Sequence, residues 1–430
     1  GGGGGGGSEF RLSMAKKKKG GKKGGKKKGG KKGGKGGASE EDIAAAHLAL
    51  LARFRQRFLA IAGAEASPVA LTRAIAGPPP DADEDPGWYD ARAILQMADI
   101  PLGPAGTRAI CWAILGTPSN NNNRHGKLPP ISKKKGNKTA KPVTAAGGGP
   151  VPPKNNAYTH YGKISLIGCN TKDHGALALA ELLRAGPTVG VEIATLELVN
   201  CNITPAGADF LSQSLAFGGN ITLHTLNLAY NKGLGNNGLQ DLCVGLRGNE
   251  TLKTLSLRCC ALEGAKMGAC VALLLSSAQS TLKSIDLSAN ALGPVGLSIV
   301  CRALKRNVRC ESLNLAENGI DADFEPSAGG GYDIFMRSMN HLRLALQWNR
   351  TLVRLDLSFN SISEDGAKQL LPALGPDSAA RNKTLKYFML STLISGETFK
   401  KLGRQGKVPG VGGKGKKGKK KKGKGKKKKK

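Results

Sequence analysis

Aromatic side chains are scarce in this chain. They make up 4% of its 430 residues, although 40% of the residues are apolar. A core of this composition must therefore be mainly aliphatic. No apolar run approaches the ~18 residues that a membrane-spanning helix requires, and no apolar segment follows the basic N-terminal region as it does in a signal peptide. The sequence thus predicts neither a transmembrane segment nor a secretory signal.

Motifs that carry chemistry are also missing. The nine cysteines contain no CxxC pair, which argues against zinc binding and against a disulfide framework and favours reduced thiols in an intracellular compartment. The chain has no HExxH, no GxSxG and no phosphate-binding GxxxxGK[ST] sequence. We therefore expect no catalytic site, no cofactor and no metal centre.

Acidic residues are absent from the three segments that hold the excess positive charge. Residues 16–35 contain 12 lysines, residues 407–430 contain 14, and residues 117–160 contain seven lysines and Arg124. These cations equal the net charge of +34, so the rest of the chain is electrically balanced. Both terminal segments consist mainly of glycine and lysine. Their positive charges repel one another, and they have almost no apolar side chains to bury. The sequence predicts that both are disordered.

Shifts in composition set the boundaries of the remaining segments. Residues 1–37 form a Gly/Lys-rich tail, and residues 1–13 within it resemble a linker scar or translated upstream sequence, so no argument rests on them. Residues 117–160 form a basic linker that is rich in Asn, Gly and Pro. Residues 401–430 form a second Lys-rich tail. These segments frame two regions that have a regular apolar pattern.

The first patterned region, residues 38–116, is predicted to form a small helical domain. Apolar residues recur at helical spacing after Ser39 and Asp42, which resemble a capping box. Further helices are expected at about 67–76, 87–99 and 104–115, between Gly/Pro-rich turns.

The second patterned region, residues 161–400, repeats one motif eight times. Each copy has the form of an L-x-L strand followed by Asn or Cys, with the last copy degenerate. The copies are KISLIGC (163–169), TLELVNC (195–201), TLNLAYN (225–231), TLSLRCC (254–260), SIDLSAN (284–290), SLNLAEN (312–318), RLDLSFN (354–360) and YFMLSTL (387–393). They recur every ~30 residues, with one longer step that indicates an insertion near 321–333. This is the pattern of a leucine-rich repeat.

The motif predicts a solenoid of about eight repeats. Both aliphatic residues of L-x-L point into the core, and the Asn or Cys turns inward to satisfy backbone groups. Helices such as 206–215 close the outer wall, so stacked units form a horseshoe of α/β class, a right-handed solenoid with parallel strands inside and helices outside. We therefore expect Cys169, Cys201 and Cys260 to be structural thiols.

Two further patterns are assigned to the fold rather than to a site. The Asn-x-Thr sequences at Asn220, Asn249, Asn349 and Asn382 each close a repeat just before its next strand, which favours a structural role over glycosylation. The acids near Asp321 suggest calcium, but Pro326 stands where the calcium loop needs glycine. A solvated acidic loop fits better.

The repeats resemble the ribonuclease-inhibitor-like class of leucine-rich-repeat proteins. That class includes Ran GTPase-activating proteins, the receptor arms of NOD-like receptors and several axonemal proteins of motile cilia. The resemblance covers about residues 161–400 and implies a horseshoe fold that binds other proteins. It does not by itself imply a particular function.

A binding surface is expected on the concave face. Most side chains there are small and polar, whereas binding hot spots favour Trp, Tyr and Arg. Residues of this kind gather near the C-terminal end of the repeats. The candidate partner-binding residues are Arg258, Asp286, Trp348, Arg354, Asp356, Tyr387 and Met389.

The lysine tails are predicted to bind a polyanion without sequence specificity, because they carry no aromatic residues for base stacking. Acidic tubulin tails are the favoured partner, with RNA or an anionic membrane as alternatives; the tails could also serve solubility alone and have no particular partner. The lysines concerned are Lys16, Lys17, Lys18 and Lys19 at one end, and Lys419, Lys420, Lys421, Lys422, Lys426, Lys427, Lys428, Lys429 and Lys430 at the other.

The sequence therefore favours a non-enzymatic scaffold of the ciliary axoneme or a related microtubule assembly, located in the cytoplasm and cytoskeleton. Two alternatives stay open: a regulator resembling Ran GTPase-activating proteins, and a nucleolar or ribosome-associated protein whose tails bind RNA. The basic C-terminus weighs against the first, since Ran GTPase-activating proteins typically carry an acidic stretch after the repeats.

Overall fold

The computed structural model of the protein describes residues 40–62, 93–116, 157–216, 218–321, 330–390 and 394–405. These residues form one ten-stranded sheet in which the strands follow chain order. Nine strands run parallel and the last is antiparallel to its neighbour. The strands are β1 (Ala93–Ala98), β2 (Tyr161–Ile167), β3 (Thr195–Val199), β4 (Thr225–Asn227), β5 (Thr254–Ser256), β6 (Ser284–Asp286), β7 (Ser312–Asn314), β8 (Arg354–Asp356), β9 (Tyr387–Met389) and β10 (Arg404–Gln405).

Helices connect the strands on the outer side of the sheet. They are α1 (Glu40–Ala62), α2 (Gly103–Leu115), α3 (Lys172–Ala185), α4 (Pro205–Leu215), α5 (Gly235–Leu246), α6 (Gly264–Ser276), α7 (Gly293–Leu304), α8 (Gly331–Trp348), α9 (Glu364–Lys368), α10 (Leu371–Leu374) and α11 (Gly396–Leu402), with a 3₁₀ turn at Gly186–Val189. Helices of neighbouring repeats pack side by side. This arrangement confirms the predicted leucine-rich-repeat solenoid of α/β class. No helix in the described ranges is long and apolar enough to cross a membrane.

Alternation of burial along each strand explains why these segments are strands. In β4, Leu226 is buried between the half-buried Thr225 and Asn227, and Leu228 follows it into the core with no exposed surface. Neighbouring strands show the same alternation of burial, and the buried Leu226 pairs with the buried Leu255 of β5. The aliphatic pairs therefore stack from strand to strand into one continuous core.

Inward-facing side chains fix the turn that follows each strand. Asn231 is fully buried. Its Nδ2 donates to the carbonyl oxygens of Leu198 (2.7 Å) and Leu228 (2.8 Å), and its Oδ1 accepts the backbone N–H groups of Cys201 and Ile203 at 3.0 Å each. Cys201 occupies the same place one repeat earlier, where its thiol donates to the carbonyl oxygen of Leu166 at 3.2 Å. These contacts confirm the structural role expected for both residue types.

The Asn-x-Thr sequences form a second buried series just before the strands. Asn349 is 1% exposed. Its Nδ2 donates to the carbonyl oxygens of Leu304 and Asn307, and its Oδ1 accepts the N–H groups of Thr351 and Leu352. Asn220, Asn249 and Asn382 are also buried and hydrogen-bonded to backbone groups. The amide that a glycan would need is therefore occupied by the fold.

The N-terminal region departs from the prediction. The helix expected at 87–99 is wrong in its described part, because residues 93–98 form β1 and pair with β2. Leu95 and Met97 are each 1% exposed and face the core, whereas Ile94 is 54% exposed. Residues 93–115 thus add a further strand and helix to the N-terminal end of the solenoid. The helix expected at 67–76 lies outside the described residues.

Helix α1 lies against this first unit. Phe54 and Phe58 are buried in the same core as the strands. The guanidinium of Arg57 donates to the carbonyl oxygen of Ala113 in α2, with Nη2 at 2.9 Å. The helices expected after Ser39 and at 104–115 are confirmed as α1 and α2, and both pack on the core of the repeats.

The insertion between β7 and β8 is partly helical. The expected boundaries were 321–333, but α8 begins at Gly331 and runs for 18 residues. Its buried face includes Phe335, Met339, Leu342 and Leu346, which recur at helical spacing. The insertion therefore lengthens the outer helix, which has 18 residues in α8 and 12 in α7. The acidic residues Asp323 and Glu325 lie outside the described residues.

Candidate functional site

Two rows of side chains cross the concave face, because each strand from β3 to β9 contributes one residue to each row. The first row contains Thr195, Thr225, Thr254, Ser284, Ser312, Arg354 and Tyr387. The second contains Glu197, Asn227, Ser256, Asp286, Asn314, Asp356 and Met389. Charged groups therefore occur at both ends of the rows. Glu197 pairs with Lys163 of β2 at 2.8 Å, whereas Asp286, Arg354 and Asp356 lie toward the C-terminal strands.

Four of the predicted binding residues lie together at that end. Asp286, Arg354, Asp356 and Tyr387 line a depression of about 260 Å³ whose remaining walls include serines of β6 and β7. The guanidinium carbon of Arg354 lies 5.4 Å from the centroid of the Tyr387 ring. Such a contact leaves the cation available to an incoming carboxylate while it orients the ring.

Local turns orient the two carboxylates of this depression. Oδ1 of Asp286 accepts the N–H and the hydroxyl of Ser288 at 3.0 and 2.7 Å. Oδ1 of Asp356 accepts the equivalent groups of Ser358 at 2.9 and 2.6 Å. The same serine-aspartate turn thus recurs two strands apart. It holds both aspartates at defined positions on the sheet.

Arg258 lies on the same face, next to Tyr230. Its Nε donates to the Tyr230 hydroxyl at 3.0 Å, and its guanidinium carbon lies 5.8 Å from the ring centroid. Nη1 donates to the hydroxyl of Ser288 at 3.2 Å. The hydrogen bond with Tyr230 raises the pKa of Arg258, and the charges of Asp286 and Glu317 raise it further. Arg258 therefore links the depression to the edge of the sheet.

Two predicted residues have different surroundings. Trp348 ends α8 on the outer side of the solenoid, so its assignment to the concave face is wrong. It is 63% exposed, and the ammonium of Lys305 lies 5.3 Å from its ring. Met389 ends the second row beside Asp356 and is half-buried. Trp348 is close to β8 in sequence, but the chain crosses the edge of the solenoid between them. Trp348 therefore lies on the outer side and β8 on the concave side.

A third row, which we name the rim row, contains aromatic residues that the sequence analysis missed. Each member immediately precedes the inward-facing Asn or Cys and has a left-handed φ between 52° and 63°. The members are Asn200, Tyr230, Cys259, Ala289, Glu317 and Phe359. Tyr230 is 44% and Phe359 is 81% exposed. Both aromatic residues are visible in the repeat motifs, Tyr230 in AYN and Phe359 in SFN, directly before the inward-facing Asn.

Left-handed backbone is unfavourable for bulky residues, by ~1 kcal/mol or more at each position. The turn needs this conformation to aim the following Asn inward, and it consequently directs the rim side chain toward solvent. Exposed aromatic groups in such positions are typical of protein-binding surfaces. The rim row and the depression therefore form one candidate surface.

The cysteines offer no comparable site. All nine are free, and eight are buried. Burial raises the pKa of the Cys260 thiol to about 12 and that of Cys310 to about 12. In the described ranges, no group of three or more His, Cys, Asp or Glu residues could hold a metal ion. The lysines of both tails, from Lys16 and from Lys419 onward, lie outside the residues that the structure describes.

Comparison with known proteins locates the repeats independently. The Leucine Rich repeat family model matches residues 219–243, 278–301 and 349–371. NACHT, LRR and PYD domains-containing protein 5 of Bos taurus is 32% identical over 209 residues, which are 48% of this chain and 17% of that protein. The ribonuclease inhibitor of Sus scrofa is 28% identical over 282 residues, which are 65% of this chain and 54% of the inhibitor.

The matches cover only part of these relatives, about half of the inhibitor and about a sixth of the bovine protein. Among solved structures, a tropomodulin C-terminal domain of Caenorhabditis elegans matches with a TM-score of 0.28 and 15% identity, over 35% of this chain and 81% of that one. That score is too low to support an argument.

Proposed function

We propose that this chain, whose repeats are similar to those of the ribonuclease inhibitor, is a non-enzymatic scaffold whose concave face binds another protein. The observation that carries the proposal is the convergence of Asp286, Arg354, Asp356 and Tyr387 around one depression. Charged and aromatic groups of this kind are typical of binding hot spots.

The rim row supports the same proposal. Phe359 and Tyr230 present apolar surface to solvent at the edge of the sheet. An exposed aromatic group gains most when a partner covers it and excludes water. The depression would then supply charge recognition, and the rim row would supply apolar contact area.

We further propose that the scaffold belongs to the ciliary axoneme or a related microtubule assembly. The two lysine-rich tails, with 12 and 14 lysines, support this proposal because tubulin presents acidic tails along the microtubule. The tails attract the microtubule, and the concave face selects the protein partner. RNA is the competing polyanion.

The concave face is tested by charge reversal and aromatic truncation. We expect Arg354→Glu combined with Tyr387→Ala to abolish recovery of the main partner when the tagged protein is captured from ciliated cells and analysed by quantitative mass spectrometry. Arg381→Glu is the matched control, because Arg381 is exposed but belongs to a loop rather than to a strand. Equal recovery by both variants would refute the concave-face proposal.

The cellular assignment is tested by location. A fluorescent copy of the full chain in ciliated cells is expected along the axoneme. Accumulation at the nuclear rim would favour a regulator of the Ran type, and accumulation in the nucleolus would favour RNA as the ligand of the tails. Either nuclear pattern without a ciliary signal would contradict the axonemal proposal.

A further inference from the structure

A basic groove lies on the outer surface between the C-terminal ends of α6 and α7. Its volume is about 800 Å³. Apolar walls come from Leu275, Ile299 and Val308, and cationic groups come from Arg302, Arg306 and Arg309. Val308 is 74% exposed, so an aliphatic side chain stands in solvent beside three guanidinium groups.

The positive charge of this groove is not balanced locally. From Gly264 to Arg309 the chain contains a single carboxylate, Asp286, which lies on the opposite, concave face. In the described part of the chain, the side chains of Arg302 and Arg306 make no ion pair or hydrogen bond. Four ion pairs occur in the described ranges, and each lies elsewhere.

Neighbouring helix α8 extends the cationic surface. Burial lowers the pKa of His341, and the positive charges of Arg302 and Arg337 lower it further. Lys305 lies between the groove and α8, with its ammonium 5.3 Å from the ring of Trp348. The exposed Trp348 therefore continues the apolar surface of the groove beyond its cationic edge.

Arg309 is fixed in place and shapes the groove. Its Nη1 donates to the carbonyl oxygen of Ala278 and, at 2.7 Å, to that of Ser280. These bonds fasten the segment after α7 to the segment after α6. The opening between the two helix ends is therefore held in shape by hydrogen bonds, and the exposed guanidinium groups of Arg302 and Arg306 lie beside it.

We propose that this groove binds an acidic segment of a partner protein in which aliphatic residues alternate with carboxylates. Guanidinium groups pair with carboxylates in a two-pronged geometry, and the exposed Val308 and half-buried Ile299 form apolar walls that an aliphatic side chain can cover. A nucleic acid or a free phosphate would leave those walls in water. This surface is separate from the concave face and goes beyond the scaffold function proposed above.

The test compares binding of labelled probes by variants of the full chain. The probes are a fluorescent peptide in which glutamates alternate with leucines, a polyglutamate peptide of equal length, and a single-stranded RNA. The groove variants are Arg302→Glu combined with Arg306→Glu, and Val308→Ser. Arg184→Glu is the control, because Arg184 occupies the last turn of α3 on the same outer surface. Every variant keeps both lysine tails, so tail binding is constant.

We expect the double charge reversal to weaken binding of the glutamate-leucine peptide by about tenfold relative to Arg184→Glu, a change equivalent to ~1.4 kcal/mol. Val308→Ser is expected to weaken that peptide alone. Binding equal to that of Arg184→Glu would overturn the proposal. Val308→Ser weakening polyglutamate or RNA as much as the glutamate-leucine peptide would also overturn it, because the groove would then be a general anion surface. Matching thermal melts establish that the variants are folded.

Discussion

Replacement of Asn231 by Ala tests the role of the inward-facing asparagines. The change removes five hydrogen bonds, from Nδ2 to the carbonyl oxygens of Leu198, Leu228 and Ala229, and from the N–H groups of Cys201 and Ile203 to Oδ1. The carbonyl oxygen of Leu228 retains the thiol of Cys260 at 3.2 Å. The two N–H groups are the main cost.

A buried donor without a partner costs ~1–3 kcal/mol, so two of them lower the free energy of unfolding by ~2–6 kcal/mol. With an m-value near ~3 kcal/mol per M, a loss of ~4 kcal/mol moves the urea midpoint down by ~1.3 M. Far-ultraviolet circular dichroism measures this midpoint directly.

Two further variants sharpen the assay. Asn231→Cys should lose less stability than Asn231→Ala, because the chain itself uses Cys201 and Cys260 at equivalent positions, where their thiols donate to backbone carbonyl oxygens. Some loss should remain, since a sulfur atom accepts the two N–H groups more weakly than an amide oxygen does. Asn237→Ala is the exposed control and should change stability by less than ~0.5 kcal/mol. A midpoint for Asn231→Ala equal to that of Asn237→Ala would refute the hydrogen-bond argument.

Three other predictions concern stability and reactivity. Leu257→Asp puts an unpaired carboxylate where Leu257 has no exposed surface and should destabilise the solenoid by several kcal/mol; a circular dichroism melt equal to wild type would refute the repeat register. A thiol reagent should modify Cys259 first in the folded protein, because the other cysteines are buried; rapid modification of several thiols, mapped by mass spectrometry, would contradict this. The hydrogen bond from Thr398 lowers the pKa of Glu364 to about 2, so its stabilising effect is complete above the ordinary carboxyl pKa of ~4.3 and is lost as the pH falls toward about 2. Glu364→Gln should therefore lower the melting temperature at neutral pH with a gap that closes in acid, and a gap independent of pH would contradict it.

The repeat could be predicted because its period and its inward residues both leave marks in the sequence. The strand β1 could not. Its sequence, AILQMA, consists mostly of good helix formers, and it lacks the Asn or Cys that marks the other repeats. Pairing with β2 decides its conformation, and tertiary contacts of this kind override local preference.

The sequence predicted the residues of the candidate site that lie on strands but missed those at the edge of the sheet. Arg354, Asp356 and Tyr387 follow from the two-residue period of strands. Trp348 belongs to a helix whose end could not be placed from the sequence, because the insertion obscured the register. Phe359 and Tyr230 were recognisable as large residues just before the inward Asn, a position that the strand period does not cover.

We propose that the tails attach the protein to the microtubule and that the repeats select its protein partner. Cosedimentation with microtubules tests it most directly, with the full chain compared to a chain shortened to residues 38–406 and with microtubules that have or lack their acidic tubulin tails. Binding through a dozen or more lysines should fall by roughly a thousandfold or more between ~50 and ~200 mM salt, as polycation binding to nucleic acid does. We expect the shortened chain to lose most binding at low salt while it still captures its protein partner. Unchanged microtubule binding after removal of both tails would contradict the claim.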